Sequence, residues 1–143
     1  MKPLYQKGFT PEIVIKMGEK KLLTQIKSIG LAPTKSKRVV ALSKILVKKH
    51  NSKVPNTRED LEELPGVGRK TASVILGELF HHPTIAVDTH VYRVSKRLGL
   101  HDEKTADKCE QALLDVIDRK HLPKGHHLFI LHGRYVCLSL IHI

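Results

Sequence analysis

Cysteine is scarce in this chain. The 143 residues hold only Cys109 and Cys137, too few for a disulfide framework and without the C-x-x-C spacing of a metal or redox motif. Long apolar runs are also lacking: no stretch reaches the roughly 20 residues that span a bilayer, and no basic, hydrophobic, small-residue leader precedes Thr10. A soluble, intracellular, cytoplasmic protein with no membrane role is expected. Acids are in deficit, with 14 Asp and Glu against 25 Lys and Arg and a formal net charge of +11, so the expected partner is a polyanion. Strand patterns are missing too. Thr84-Ile85-Ala86-Val87 is apolar and short but has no alternating partner segment, and it reads as a buried crossing between lobes. The fold class expected is therefore all-α. Ten histidines invite a metal reading, yet His81-His82 and His126-His127 are adjacent, which does not put two ligands on one helix face. Zinc is set aside.

What is present is a series of helix signals in a chain long enough for one modest core or two small lobes. Thr10-Pro11-Glu12 supplies a cap, an N1 proline and a first-turn acid, and Gly18 closes that helix. A second helix is predicted from about Glu19 to Ile29, with Leu22, Leu23, Ile26 and Ile29 inward and Gly30 as its stop. Leu31-Ala32-Pro33-Thr34 reads as a loop. A third helix, about Ser36 to His50, turns Val39, Leu42, Ile45 and Leu46 inward and its lysines outward. Asp88 starts a helix to about Leu98 with Val91, Val94 and Leu98 inward, and Gly99 stops it. A helix from Lys104 to Ile117 carries a stripe of Cys109, Ala112, Leu113, Val116 and Ile117. The last, about Lys124 to Val136, packs Leu128, Leu131 and Tyr135, with His132 on the same face. His132 and His90 read as hydrogen-bonded core histidines.

The most informative stretch is Leu64-Pro65-Gly66-Val67-Gly68-Arg69-Lys70. Before it, Thr57 caps a short acidic helix that Pro65 and Gly66 end. After it, Ala72, Ile75, Leu76 and Leu79 form the apolar stripe of a helix beginning near Arg69. Helix, tight hairpin and helix place glycines beside unpaired N–H groups and a positive dipole end, which suits a phosphate and equally an ordinary helix–helix turn. Lys70 lies in the first turn beside Arg69, a cationic neighbourhood that favours a free, nucleophilic amine able to form a Schiff base. Asp88 can cap the helix that follows or stabilise positive charge developing on a sugar ring, and both can hold together.

The run Leu64-Pro65-Gly66-Val67-Gly68-Arg69-Lys70-Thr71-Ala72, with Val87-Asp88-Thr89-His90 downstream, resembles the helix-hairpin-helix signature of the endonuclease III family of base-excision DNA glycosylases. The resemblance implies a bifunctional DNA N-glycosylase and AP lyase. Its partner would be double-stranded DNA with a damaged base, typically an oxidised pyrimidine, or an abasic site, bound by a monomer in a cleft. It also implies roles. Lys70 would attack C1′ of the damaged nucleotide, and Asp88 would assist base departure and later proton transfers. Leu64, Gly66, Val67, Gly68 and Arg69 would form the DNA-binding hairpin. Leu31, after Ser28-Ile29-Gly30, matches the family's apolar wedge for an opened base stack, against the alternative of a leucine tucked under its own turn. Lys35, Lys37 and Arg38 would meet phosphates.

The resemblance further implies a helical lobe over residues 1–82 containing the hairpin unit (about 58–80), incomplete at its N-terminal side, and part of a second helical lobe over 83–137. Cys137 matches the first of four cysteines that hold a [4Fe–4S] cluster; the other three are absent from this sequence. Residues 138–143 do not continue the pattern, resemble a translated transposon end and are expected to be a non-native tail. Two rival readings stay open: a non-enzymatic helix-hairpin-helix module, and a monofunctional glycosylase that uses water.

Overall fold

A computed structural model describes residues 8–138, all helix, turn and loop. The expected tail falls outside the described residues from position 139 onward. The chain divides into two compact units, residues 1–67 and 68–143, and passes from one to the other inside the hairpin, at Val67 and Gly68.

In the first unit, α1 spans Pro11–Ile26. Thr10 caps it, its hydroxyl oxygen accepting the Ile13 amide, and Pro11 fits the first turn because its missing N–H would be unpaired there anyway. Gly18 breaks the helical path at φ 74°, ψ 170°, so α1 consists of two arms, as its position predicted. Helix α2 (Ala32–His50) begins at Ala32, ahead of the expected Ser36. Leu31 takes the N-cap position in left-handed geometry, and Pro33 is accommodated in the first turn. The predicted loop over residues 31–34 is thus mostly helix. Its inward face is also rotated from the expected one. Ala32, Ser36, Val40, Ser43 and Leu46 are buried, while Val39, Leu42 and Ile45 are half-buried. The buried hydroxyls are satisfied within the helix, Ser36 donating to the Pro33 carbonyl and Ser43 to that of Val39; this lets serines occupy a face that hydrophobicity alone assigns elsewhere. Val14, Leu22, Ile26, Ala32 and Val40 form the core where α1 and α2 pack together. Helix α3 (Arg58–Glu62) is capped by Thr57, whose oxygen accepts the Asp60 amide, and anchors itself through buried Leu61.

The second unit holds α4 (Arg69–Phe80), α5 (Thr89–Arg97), α6 (Ala106–Val116), a 3₁₀ turn at Arg119–His121 and α7 (Leu122–Tyr135). Ile85, Val91, Cys109, Leu113 and Leu122 make its core. Thr84–Val87 is non-helical and carries buried Ile85 and Ala86, as expected of a buried crossing, but the segment lies within the second unit and not between two units. Gly99, at φ 71°, follows the end of α5.

Several residues expected inside this unit lie outside. Leu79, Leu98, Val116, Leu128, Leu131 and Tyr135 are all more than half exposed. A periodic stripe shows that a helix has an apolar face; whether that face is covered depends on what packs there. In this unit the inner edges of α5 and α6 take the core, and the flanking positions face outward. His132 is likewise exposed and is not a core histidine.

Candidate active site and hairpin

Lys70 and Asp88, separated by the whole of α4 and the crossing, come together. Lys70 Nζ lies 3.5 Å from Asp88 Oδ2, with the lysine side chain about half exposed and the carboxylate largely buried. Three local features hold Asp88 there. Ile85 and Ala86 bury the crossing, Thr84 ties it to α4 by donating its hydroxyl to the Ser73 carbonyl at 2.8 Å, and Asp88 itself caps α5. Its Oδ1 accepts the amides of His90 (2.9 Å) and Val91 (2.8 Å), while Oδ2 is turned toward the amine. The cap and the ion pair with Lys70 therefore use different oxygens of one carboxylate. Burial pushes its acidity the unfavourable way. The Val91 amide, the Lys70 charge and the His90 amide outweigh this and hold the carboxyl below the usual carboxylate range.

The pair opens into a concavity of about 1180 Å³ whose wall includes His90, Arg93, Lys96, Arg97, Lys104 and Arg134. Such a basic wall suits a phosphodiester ligand. His90 is half-buried at this wall, its Nδ1 3.4 Å from an Arg93 guanidinium nitrogen. Arg93 in turn donates to the Gly133 carbonyl at 2.8 Å.

Arg69 does not make the environment of Lys70 cationic. Its Nε is 2.6 Å from Glu110 Oε2 and 3.4 Å from Asp107 Oδ1, so its charge is compensated by α6. The group within salt-bridge range of Lys70 is the carboxylate of Asp88. Glu110 escaped the sequence reading. The available signal was an acid at position 110 on the same stripe as Leu113 and Ile117, where helical spacing calls for an apolar side chain. Ser73, which donates to Glu110 Oε1 at 2.8 Å, was missed for the same reason.

The hairpin glycines are unequal. Gly66 sits at φ +88°, a conformation that favours glycine, and a Cβ there would come within 2.8 Å of Arg38 Cδ and push that side chain aside. Gly68 is extended (φ −105°, ψ 178°), a conformation open to any residue, with nothing within 4 Å of an added Cβ. Gly68 occupies the N-cap of α4 without a side-chain capping bond. Leu64 is buried and its carbonyl accepts the Val67 amide at 3.0 Å, closing the turn. Leu31 is 75% exposed and left-handed at φ 62°. That is an uncommon conformation for a branched side chain, and the leucine is not tucked under its turn. Lys35 and Lys37 are exposed on the first turns of α2.

Residues 1–119 match the HhH-GPD superfamily of base excision DNA repair proteins. The chain belongs to this superfamily. It is 52% identical to endonuclease III of Rickettsia prowazekii (strain Madrid E) and 43% identical to endonuclease III of Escherichia coli (strain K12). Each comparison runs over 136 residues, 95% of this chain and 64% of the relative. The chain thus spans a little under two thirds of the length of these relatives. Among solved structures, a trapped endonuclease III–DNA covalent intermediate superposes with a TM-score of 0.90 at 41% identity, over 97% of this chain and 66% of that one. The all-helical fold is that of this superfamily.

The cysteines do not fit a [4Fe–4S] cluster, which takes four thiolates. Cys109 is fully buried, its Sγ 3.1 Å from His101 Nε2, and burial pushes its thiol up. Cys137 is half-buried, with Arg97 donating to its Sγ at 2.7 Å. Among the described residues, no group of three or more His, Cys, Asp or Glu is placed to hold a metal ion. No helix among them is long and apolar enough to cross a membrane.

Proposed function

We propose that this chain carries the reacting pair of a bifunctional DNA N-glycosylase and AP lyase acting on duplex DNA with a damaged pyrimidine or an abasic site. The observation that carries the reading is the amine of Lys70 at 3.5 Å from the Asp88 carboxylate that caps α5. Lys70 gives up its proton to water, and the free amine attacks C1′ of the flipped nucleotide while the Asp88 carboxylate stabilises the positive charge that develops on the sugar. The bond from C1′ to the base breaks and the base leaves with the bonding electrons. A proton passes from Nζ to O4′, the C1′–O4′ bond breaks, and the opened sugar carries an iminium between C1′ and Nζ. Loss of a C2′ proton expels the 3′ phosphate by β-elimination, nicking the strand, and water releases Lys70. The backbone around Leu64, Gly66, Val67, Gly68 and Arg69 would bind a phosphate; Lys35 and Lys37 would meet others; Leu31, exposed and apolar, would fill the space of the flipped base. On this reading the hairpin lobe runs to about His82, and residues 83–137 belong to the second lobe.

Borohydride reduction on an abasic duplex tests the chemistry. The expected result is a covalent protein–DNA adduct that peptide mapping places on Lys70 and that Lys70→Gln does not form, while that variant binds duplex within a few-fold of wild type, since one charge is a small part of a phosphate-dominated affinity. An adduct of equal yield in the variant would refute the nucleophile. Base release without any adduct would favour the monofunctional reading, and DNA binding with neither would favour a non-enzymatic module.

A further inference from the structure

We propose that Glu110 is a positioning residue for Lys70: by gripping Arg69 and Ser73 on one face of α4, it sets the rotation of that helix and so holds the amine of Lys70 against Asp88. The inference rests on the reading of Lys70 as the nucleophile for its functional meaning, but its geometry stands apart from that reading.

Glu110 is 3% exposed, on α6. One oxygen accepts Arg69 Nε at 2.6 Å and the other accepts Ser73 Oγ at 2.8 Å. Arg69 and Ser73 are four positions apart and therefore share a helix face. Lys70 follows Arg69 and lies about 100° further round the axis, so the direction of its side chain follows from how that face is held. The apolar contacts of Ala72 and Leu76 also face inward, but apolar burial is non-directional and tolerates a small roll of the helix. Hydrogen bonds weaken steeply with angle and do not. A roll displaces the far end of a long lysine side chain most of all.

Ser73 is the point where both halves of the reacting pair are referenced. Its hydroxyl goes to Glu110, and its carbonyl accepts the hydroxyl of Thr84, which begins the crossing that ends at Asp88. A buried carboxylate paired with arginine is weak evidence for stability, because desolvation offsets the attraction. Fully satisfied polar networks do specify one geometry among similar ones.

The test uses the 143-residue chain and two independent readouts. Carbon-13 NMR titration of the Asp88 carboxyl reports the nearness of Lys70, with Lys70→Met defining the upward shift that follows complete loss of the amine. Glu110→Gln keeps an acceptor for Ser73 and removes the anion that orients Arg69. It is expected to reproduce at least half of that shift while thermal unfolding stays within a few degrees of wild type. Its borohydride trapping rate on an abasic duplex is expected to fall about tenfold or more, with duplex Kd within threefold. Should Glu110→Gln fail to fold, Glu110→Asp, with the charge retained and withdrawn by one methylene, is read the same way, and a smaller shift in the same direction is expected. An Asp88 titration unchanged from wild type in a folded Glu110 variant overturns the proposal. A shifted titration in a protein whose wild type never traps would leave the positioning intact and refute the lyase reading instead.

Discussion

Asp88 performs two physical tasks, and two substitutions separate them. Asn at position 88 keeps an acceptor oxygen for the His90 and Val91 amides and loses only the charge facing Lys70; Ala loses both. At 3.5 Å the Coulomb attraction is about 1 kcal/mol in a water-like medium and about 5 kcal/mol at an effective dielectric of 20. The half-exposed lysine places this pair near the low end, so Asp88→Asn is expected to cost about 1 kcal/mol or less. Loss of a helix cap costs about 1–2 kcal/mol, so Asp88→Ala is expected to cost about 2–3 kcal/mol in all. For a chain of this size each kcal/mol lowers Tm by about 2–4 °C, and thermal unfolding resolves the two variants. The pH dependence adds a second check. Because the folded carboxyl is held below its ordinary value, its stabilisation is complete above the unfolded pKa of about 3.9 and is lost as pH falls through the lower folded value. The difference in stability between wild type and Asp88→Asn should therefore be constant at neutral pH and shrink from about pH 4 downward. Equal destabilisation by Asn and Ala, or a difference that does not change on acidification, would refute the division between cap and charge.

Gly66→Val should destabilise the fold by about 1–3 kcal/mol through a forbidden φ and a collision with Arg38, whereas Gly68→Ala should change unfolding by about 0.5 kcal/mol or less. Duplex titrations at several salt concentrations should show Gly68→Ala weakening binding to damaged and undamaged DNA alike, and loss confined to damaged DNA would contradict a phosphate role. Leu31→Ala should leave Tm within about 1–2 °C of wild type, because the side chain is already exposed, and should slow base release from a paired lesion more than from a mismatched one, as gel assays of both duplexes would reveal. Thiol labelling in native buffer should modify Cys137 rapidly and Cys109 only on unfolding. Iron and sulfide added to the chain should give no broad visible absorbance of a [4Fe–4S] centre, since two cysteines cannot supply four thiolates.

The parts of this protein legible in its sequence are those governed by neighbours within about one helical turn. Thr10, Thr57 and Asp88 cap because a side-chain oxygen two or three residues ahead of an amide is enough to bond it, whatever the rest of the chain does. Gly18, Gly66 and Gly99 mark interruptions because a left-handed backbone excludes most side chains locally. The hairpin motif and the spacing of Lys70 and Asp88 identified the family on the same footing, as patterns of residue type. Tertiary structure decided what distance alone can decide. It brought the amine and carboxylate to 3.5 Å, and it turned Arg69 toward Glu110 and Asp107. It left Leu31 exposed and left-handed. It also determined which edge of each apolar stripe was covered: Leu113 is buried and Val116, three residues on, is 58% exposed. Helical periodicity carries the phase of a face but not the identity of what packs on it, and a buried glutamate looks like any surface acid until its arginine, 41 residues away, is seen beside it.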